Sequence, residues 1–303
     1  MITLRKLFVL LAGIAALSAT PAQPQTVGVM DKPCAGLPGA PADVAAYLAQ
    51  RAAALGRHVS IAPPTAETLK RYTAWQAVLR ESDFAALCRY QAENALLPAA
   101  GHHRVVFFGD SITELWRLNA PELFTNDVIG RGISGQTTEQ MLIRFRADVI
   151  DLKPEAVHIL AGTNDIAGNT GATSLPWVEA NIQTMVEIAK AHGIKVILAA
   201  VPPAARFSWH PELKPAATIM AYNRWLRHYA ARQRITFADY QAILDDGHGG
   251  FAASLTGDGV HPNASGYALM TQQARRAMAR ARAKQTLARS RNRALSVSMT
   301  PTG

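Results

Sequence analysis

Acidic residues run out early: none of the 45 residues after Asp258 is Asp or Glu. Eight basic residues follow (Arg275, Arg276, Arg280, Arg282, Lys284, Arg289, Arg291 and Arg293), and they make up most of the net charge of +9. Without them the balance is +1, and without Arg5 and Lys6 as well it is −1. The body of the chain is close to neutral, so no nucleic-acid partner is expected. The basicity belongs to one tail, which is expected to be solvated or to make weak contact with an anionic envelope surface. Charged residues make up only 17% of the chain against 49% hydrophobic, which excludes global disorder. No apolar run reaches the ~20 residues of a membrane-spanning helix, and there is no internal repeat. There are only two cysteines, Cys34 and Cys88, with no histidine ligands close by, and no HExxH pattern. No metal and no cofactor is expected. The G-x-S-x-G elbow is also missing, which disfavours the α/β-hydrolase type of serine enzyme.

What the N-terminus does have is a leader pattern. Arg5 and Lys6 precede 13 apolar residues, Leu7 to Ala19, and small residues (Ser18, Ala19, Ala22) follow near a cleavage point. Residues 1–22 read as a secretory signal peptide, with an uncleaved anchor or a buried helix as the alternative. The expected location is periplasmic or secreted. In an oxidising compartment the two cysteines are expected to pair, closing a 55-residue loop worth at most ~4 kcal/mol by chain entropy. The alternative is two separate buried thiols.

Residues 23–40 are rich in Pro and Gly and read as a linker. Residues 41–100 read as a helical appendage of two or three helices, broken at Pro63-Pro64. From Arg104 short apolar runs alternate with amphipathic stretches: 104–109, 127–130, 156–161, 195–201 and 235–238, with helices near 137–150, 174–192, 215–232 and 263–282. Strand and helix repeated in this way predict an α/β fold: a three-layer α/β/α domain over 101–282 around a mainly five-stranded parallel sheet. Residues 283–303 read as a basic disordered tail.

In such a sheet ligands bind beyond the carboxyl ends of the strands. After the first run comes Gly109-Asp110-Ser111-Ile112-Thr113. After the second comes Gly132-Ile133-Ser134-Gly135-Gln136-Thr137. After the third comes Gly162-Thr163-Asn164-Asp165, and past the fifth Asp258-Gly259-Val260-His261-Pro262-Asn263. Each alone could be a turn or a helix cap. Their joint order supplies a nucleophile, a base, an orienting carboxylate and oxyanion donors, the inventory of acyl transfer. Gly130 to Gly135 also spells G-x-G-x-x-G. The acidic residue about 20 positions on, Glu155, starts its strand rather than ending it, so the dinucleotide reading is set aside.

These blocks resemble the SGNH hydrolases, or GDSL esterases/lipases, from about Arg104 to Ala281. The text around ISGQTT and GTND is similar to the branch of platelet-activating-factor acetylhydrolase-like and carbohydrate acetyl-esterase-like proteins. The resemblance implies a flavodoxin-like sheet and a catalytic triad of Ser111, Asp258 and His261. It also implies an oxyanion hole from the backbone N–H groups of Ser111 and Gly135 and the side-chain amide of Asn164. Glycine at 135 is expected to let the backbone come close. Gln136 departs from the Asp that many members carry. Asp110 and Asp165 are expected to brace loops, and His158 to be a core histidine.

The expected function is that of a secreted serine esterase. It would remove short acyl groups, acetyl first, from a small-molecule or glycan ester by way of an acyl-enzyme. The alternatives are a lysophospholipase or thioesterase of the same family and a non-catalytic envelope- or carbohydrate-binding protein. Trp116, Trp177, Phe207 and Trp209 are expected in or near rim loops, with 202–214 as a substrate wall.

Overall fold

The structure is a computed structural model that describes Val29 and residues 31–56, 61–100, 103–125 and 127–298, with the backbone alone at 55–56 and 284–298. The expected leader lies outside the described residues. The chain divides into a unit through Leu37 and a second compact unit from Pro38 onward. In the first, the described residues hold one short 3-10 turn, Pro33–Gly36. Cys34 and Cys88 are each disulfide-bonded.

The second unit opens with α1 (Ala42–Gly56), α2 (Ala66–Ser82) and α3 (Gln91–Ala95). Pro63-Pro64 falls between the first two, and Thr65 caps α2 by accepting from the Thr68 N–H. Five strands follow: β1 (Val105–Gly109), β2 (Val128–Gly132), β3 (Ala156–Leu160), β4 (Lys195–Ala199) and β5 (Thr236–Ala238). All pairs are parallel, in the order β2-β1-β3-β4-β5. Every residue of β1, β2 and β3 is buried, as expected of strands covered on both faces.

The helices of the α/β body are α4 (Ser111–Asn119), α5 (Thr138–Phe145), α6 (Thr163–Ile166), α7 (Leu175–Ala191), α8 (Ala216–Arg232), α9 (Gln241–Leu244) and α10 (Ala264–Ser298). Alternate strand residues feed two cores. Val106, Phe108, Val157, Ile159, Val196 and Leu198 pack with Phe145 of α5, Ile182 and Met185 of α7, and Tyr222 and Leu226 of α8. Val105, Phe107, Leu160 and Ile197 pack with Ile112 and Trp116 of α4 and with Tyr267 and Met270 of α10. This is the three-layer α/β/α architecture.

Two details differ from the sequence reading. A π-helical turn, Arg146–Ile150, extends α5 toward β3. The backbone stays helical to Ser298 instead of becoming irregular at Ala283. From Tyr267 to Ser298 there is neither Gly nor Pro, and Ala, Arg, Lys, Gln and Leu dominate. Intrinsic propensity favours helix along this stretch, past Ala281, the last buried position among the residues whose side chains are described.

Candidate active site

Strand register decides which loops become neighbours. Gly109 lies opposite Gly132 on one side and Leu160 on the other, so the ends of β1, β2 and β3 open onto one rim. Ser111 is the first residue of α4. Asp110 caps that helix, its carboxylate accepting from the Ile112 N–H at 2.9 Å. Gly109 fits where no side chain would: a Cβ there would lie 2.1 Å from Thr113 Oγ1 and 2.7 Å from the Leu160 carbonyl. Buried Arg144 donates to the Gly109 carbonyl (2.9 Å), the Arg131 carbonyl (3.0 Å), Gln136 Oε1 (2.5 Å) and Asp148 (2.9 Å), tying β1 to the loop after β2.

His261 arrives from 150 residues away. Its Nε2 lies 2.9 Å from Ser111 Oγ, and its Nδ1 lies 2.7 Å from Asp258 Oδ2. Asp258 Oδ1 also accepts the backbone N–H groups of His261 (2.8 Å) and Val260 (2.9 Å). Burial opposes ionisation of Asp258. The His261 ring and those N–H groups outweigh it and hold the carboxyl well below the usual carboxylate range. Thr256 Oγ1 closes the loop by donating to the His261 carbonyl at 2.7 Å, and Asn263 Oδ1 caps α10 by accepting from the Gly266 N–H. The D-x-x-H block is thus both a hydrogen-bonded Asp–His pair and the entry to a helix.

The three expected oxyanion residues sit on the three adjacent loops. Gly135 is left-handed at φ 79°, and an added Cβ would have only Asn169 Nδ2, at 3.8 Å, within 4 Å. The left-handed backbone there favours glycine. Asn164, 4% exposed on α6, donates from Nδ2 to the Gln136 carbonyl at 3.0 Å and, more loosely, to Asp110 Oδ2 at 3.3 Å. Fully buried Asp110 is raised to about 6, chiefly by desolvation, with the Ile112 N–H and His261 opposing. Asp165 accepts from the N–H and hydroxyl of Thr138, bracing α6 against α5. Both carboxylates therefore stand where loop bracing was expected.

Gln136, the departure from the family pattern, donates to the Ala85 carbonyl at 2.8 Å while accepting from Arg144. Gln140 reaches the Phe84 carbonyl, and buried Tyr90 donates its hydroxyl to the Gly132 carbonyl. The segment before β1 thus buttresses the loop after β2. No motif in residues 83–95 announces this.

The aromatics divide. Trp116 is wholly buried, donating to Thr271 Oγ1 and meeting Phe107 edge to face, so it belongs to the core and not to the rim. Buried Phe207 stacks under Trp209, which is 40% exposed and donates to Asn169 Oδ1. Trp177 opens α7 and is 63% exposed. His158 stacks on Phe107 and bonds Tyr240 through Nε2, a core histidine as expected. Gly130 to Gly132 lie inside β2, so half of the glycine motif is strand and cannot wrap a phosphate. Asn169 and Thr256 were missed in the sequence; their only signal is nearness to GTND and D-x-x-H.

The GDSL-like Lipase/Acylhydrolase family profile matches residues 107–269. A GDSL-like lipase from Bacteroides thetaiotaomicron, known from its crystal structure, is 45% identical. The match covers 65% of this chain and 99% of that one, with a TM-score of 0.64. An acetylxylan esterase of Geobacillus stearothermophilus is 25% identical over 205 residues, 56% of this chain and 90% of the relative. An uncharacterized lipoprotein, YqeF, of Bacillus subtilis is 36% identical over 116 residues, 32% of this chain. The match spans about half of that relative's length, 48%. With the family pattern running through more than half of its residues, the chain belongs to the GDSL-like lipase/acylhydrolase (SGNH) family of carboxylic ester hydrolases.

Proposed function

We propose that the chain is an exported serine esterase that removes short acyl groups, acetyl first among them, from carbohydrate. The observation that carries this reading is the Ser111–His261–Asp258 chain, with links of 2.9 and 2.7 Å. Ser111 Oγ attacks the ester carbonyl while His261 Nε2 takes its proton. Asp258 holds the imidazole by Nδ1 and stabilises the imidazolium. Charge then develops on the carbonyl oxygen. The Ser111 and Gly135 N–H groups and Asn164 Nδ2 receive it, Asn164 giving up its long contact with Asp110. The first turn of α4 adds its dipole. Collapse expels the sugar alkoxide, which takes the proton from His261. Water, activated by the same histidine, then releases the acid from Ser111.

Export is supported by the leader pattern and by the lipoprotein among the relatives. Carbohydrate is supported by the acetylxylan esterase relative and by Trp209, whose exposed indole can stack on a sugar ring. Filled catalytic positions weigh against an idle binding protein.

The test is acetate release from acetylated xylooligosaccharides beside a series of chromophoric esters of rising acyl length. The reading expects turnover to be highest for acetyl and to fall with chain length. Preference for long acyl chains, with no acetate released from any glycan, would contradict it.

A further inference from the structure

Asn169 belongs to none of the motif blocks, yet its side-chain amide touches two of the three rim loops. Its Nδ2 donates to Asn164 Oδ1 at 2.8 Å and to the Gly135 carbonyl at 3.2 Å, and its Oδ1 accepts from Trp209 Nε1 at 3.1 Å. An indole N–H can only donate and a carbonyl can only accept. Trp209 and Gly135 therefore impose the same orientation on Asn169. The reverse orientation would set its oxygen against the Gly135 carbonyl and Asn164 Oδ1, and its NH₂ against the indole N–H. The orientation is passed on: with Asn164 Oδ1 occupied by an Asn169 N–H, the donor end of Asn164 faces Gln136 and Asp110 on the loops after β2 and β1. Stacking on buried Phe207, with ring centroids 5.1 Å apart, holds the indole that starts the chain.

We infer that Asn169, itself oriented by Trp209 and the Gly135 carbonyl, is a positioning residue that fixes which end of the Asn164 amide faces the oxyanion. The inference rests on the reading of Asn164 as an oxyanion donor. An amide turned by 180° keeps its shape but presents an oxygen lone pair to developing negative charge. A misoriented Asn164 would therefore oppose the transition state instead of stabilising it. Substrate binding would be little affected, because the oxyanion forms only after attack. Trp209 lies in 202–214, the expected substrate wall, so one indole both faces the rim and sets donor polarity within it.

Steady-state kinetics of the full chain on a chromophoric acetyl ester test this, with Asn164→Ala, Asn169→Asp, their double variant and Trp209→Phe. Asn169 and Trp209 are both exposed, so the fold tolerates these changes. Asn169→Asp is nearly isosteric, but when ionised it only accepts, and Asn164 must turn its NH₂ toward it. We expect kcat to fall ~10–100-fold with KM within ~3-fold of wild type. The ratio of variant to wild-type kcat should rise as pH drops through about 4, where the new carboxyl regains a proton to donate. Trp209→Phe keeps the stacking and loses only the N–H, for a fall of ~2–5-fold. The double variant should be little worse than Asn164→Ala alone, since both act through one amide. Wild-type kcat in Asn169→Asp beside a large loss in Asn164→Ala would overturn the positioning role and leave the oxyanion reading standing. A pH-independent loss that adds fully to that of Asn164→Ala would make Asn169 a loop-shaping residue and also overturn the proposal. Wild-type kcat in Asn164→Ala would remove the oxyanion reading itself, and this inference with it.

Discussion

Removing the Ser111 hydroxyl deletes the atom that faces His261 Nε2 at 2.9 Å. Ser111→Ala should abolish ester hydrolysis, and His261→Ala should cost about as much, because triad members act as a unit and their losses do not add. Asn164→Ala should lower kcat by ~10²–10³ with a smaller change in KM; a raised KM at constant kcat would make Asn164 a ground-state binder. Ser111 and Asn164 were legible because each follows closely on a strand end, and His261 because it closes a D-x-x-H block past the last strand. Asn169 and Thr256 were not, because a hydrogen-bonding partner brought in by a loop leaves no spacing rule. His158 carries a prediction for stability. Burial pushes its imidazole down to about 3, whereas an unfolded histidine titrates near 6.5. Between those values the unfolded chain binds a proton that the folded chain does not. Stability is therefore full above about pH 6.5 and falls on acidification, by about 1.4 kcal/mol per pH unit from this group. Asp110, raised to about 6, acts with the opposite sign. From about pH 4 to 6 the folded state holds its proton more tightly, which offsets part of the loss. Melting temperatures from pH 7 to 4 should fall less steeply in His158→Gln than in wild type. Parallel curves would contradict the burial argument.

At the scale of elements, all five strands lie within two residues of the apolar runs, and β2 outlasts its run by two, to Gly132. That end was missed because Arg131 looks like a loop residue. In fact it is buried: its guanidinium stacks over Tyr90 and donates to Asn94 Oδ1 at 2.8 Å. The same contacts explain why 83–95 could not be placed from sequence. The surrounding 41–100 region read as helical from its 3.6-residue period, whereas 83–90 form turns ahead of α3, and the surface this segment covers lies on parts of the chain distant in sequence. Tyr90 makes this testable. Its hydroxyl is the buried donor to the Gly132 carbonyl, and Tyr90→Phe leaves that carbonyl unpaired. A loss of ~1–3 kcal/mol in unfolding free energy is expected by chemical denaturation. An unchanged denaturation midpoint would show that the contact carries no net stability.

At the scale of the whole molecule, every motif block precedes the basic tail. No described helix is long and apolar enough to cross a membrane. The acid-free stretch after Asp258 contains a helix that runs on to Ser298. Truncation after Ala283 should leave hydrolysis of a small ester unchanged, and lost turnover would place part of the active machinery in the tail. Both cysteines are bonded and neither belongs to a motif block, so reduction should lower the melting temperature while leaving turnover at low temperature nearly intact. The central claim is that one hydroxyl, Ser111, carries the acyl group. A fluorophosphonate probe tests it most directly, with the modified peptide located by mass spectrometry. Stoichiometric labelling on Ser111 is expected, lost in Ser111→Ala together with hydrolysis. Labelling of a different serine, or full hydrolysis by Ser111→Ala freed of contaminating esterase, would contradict it.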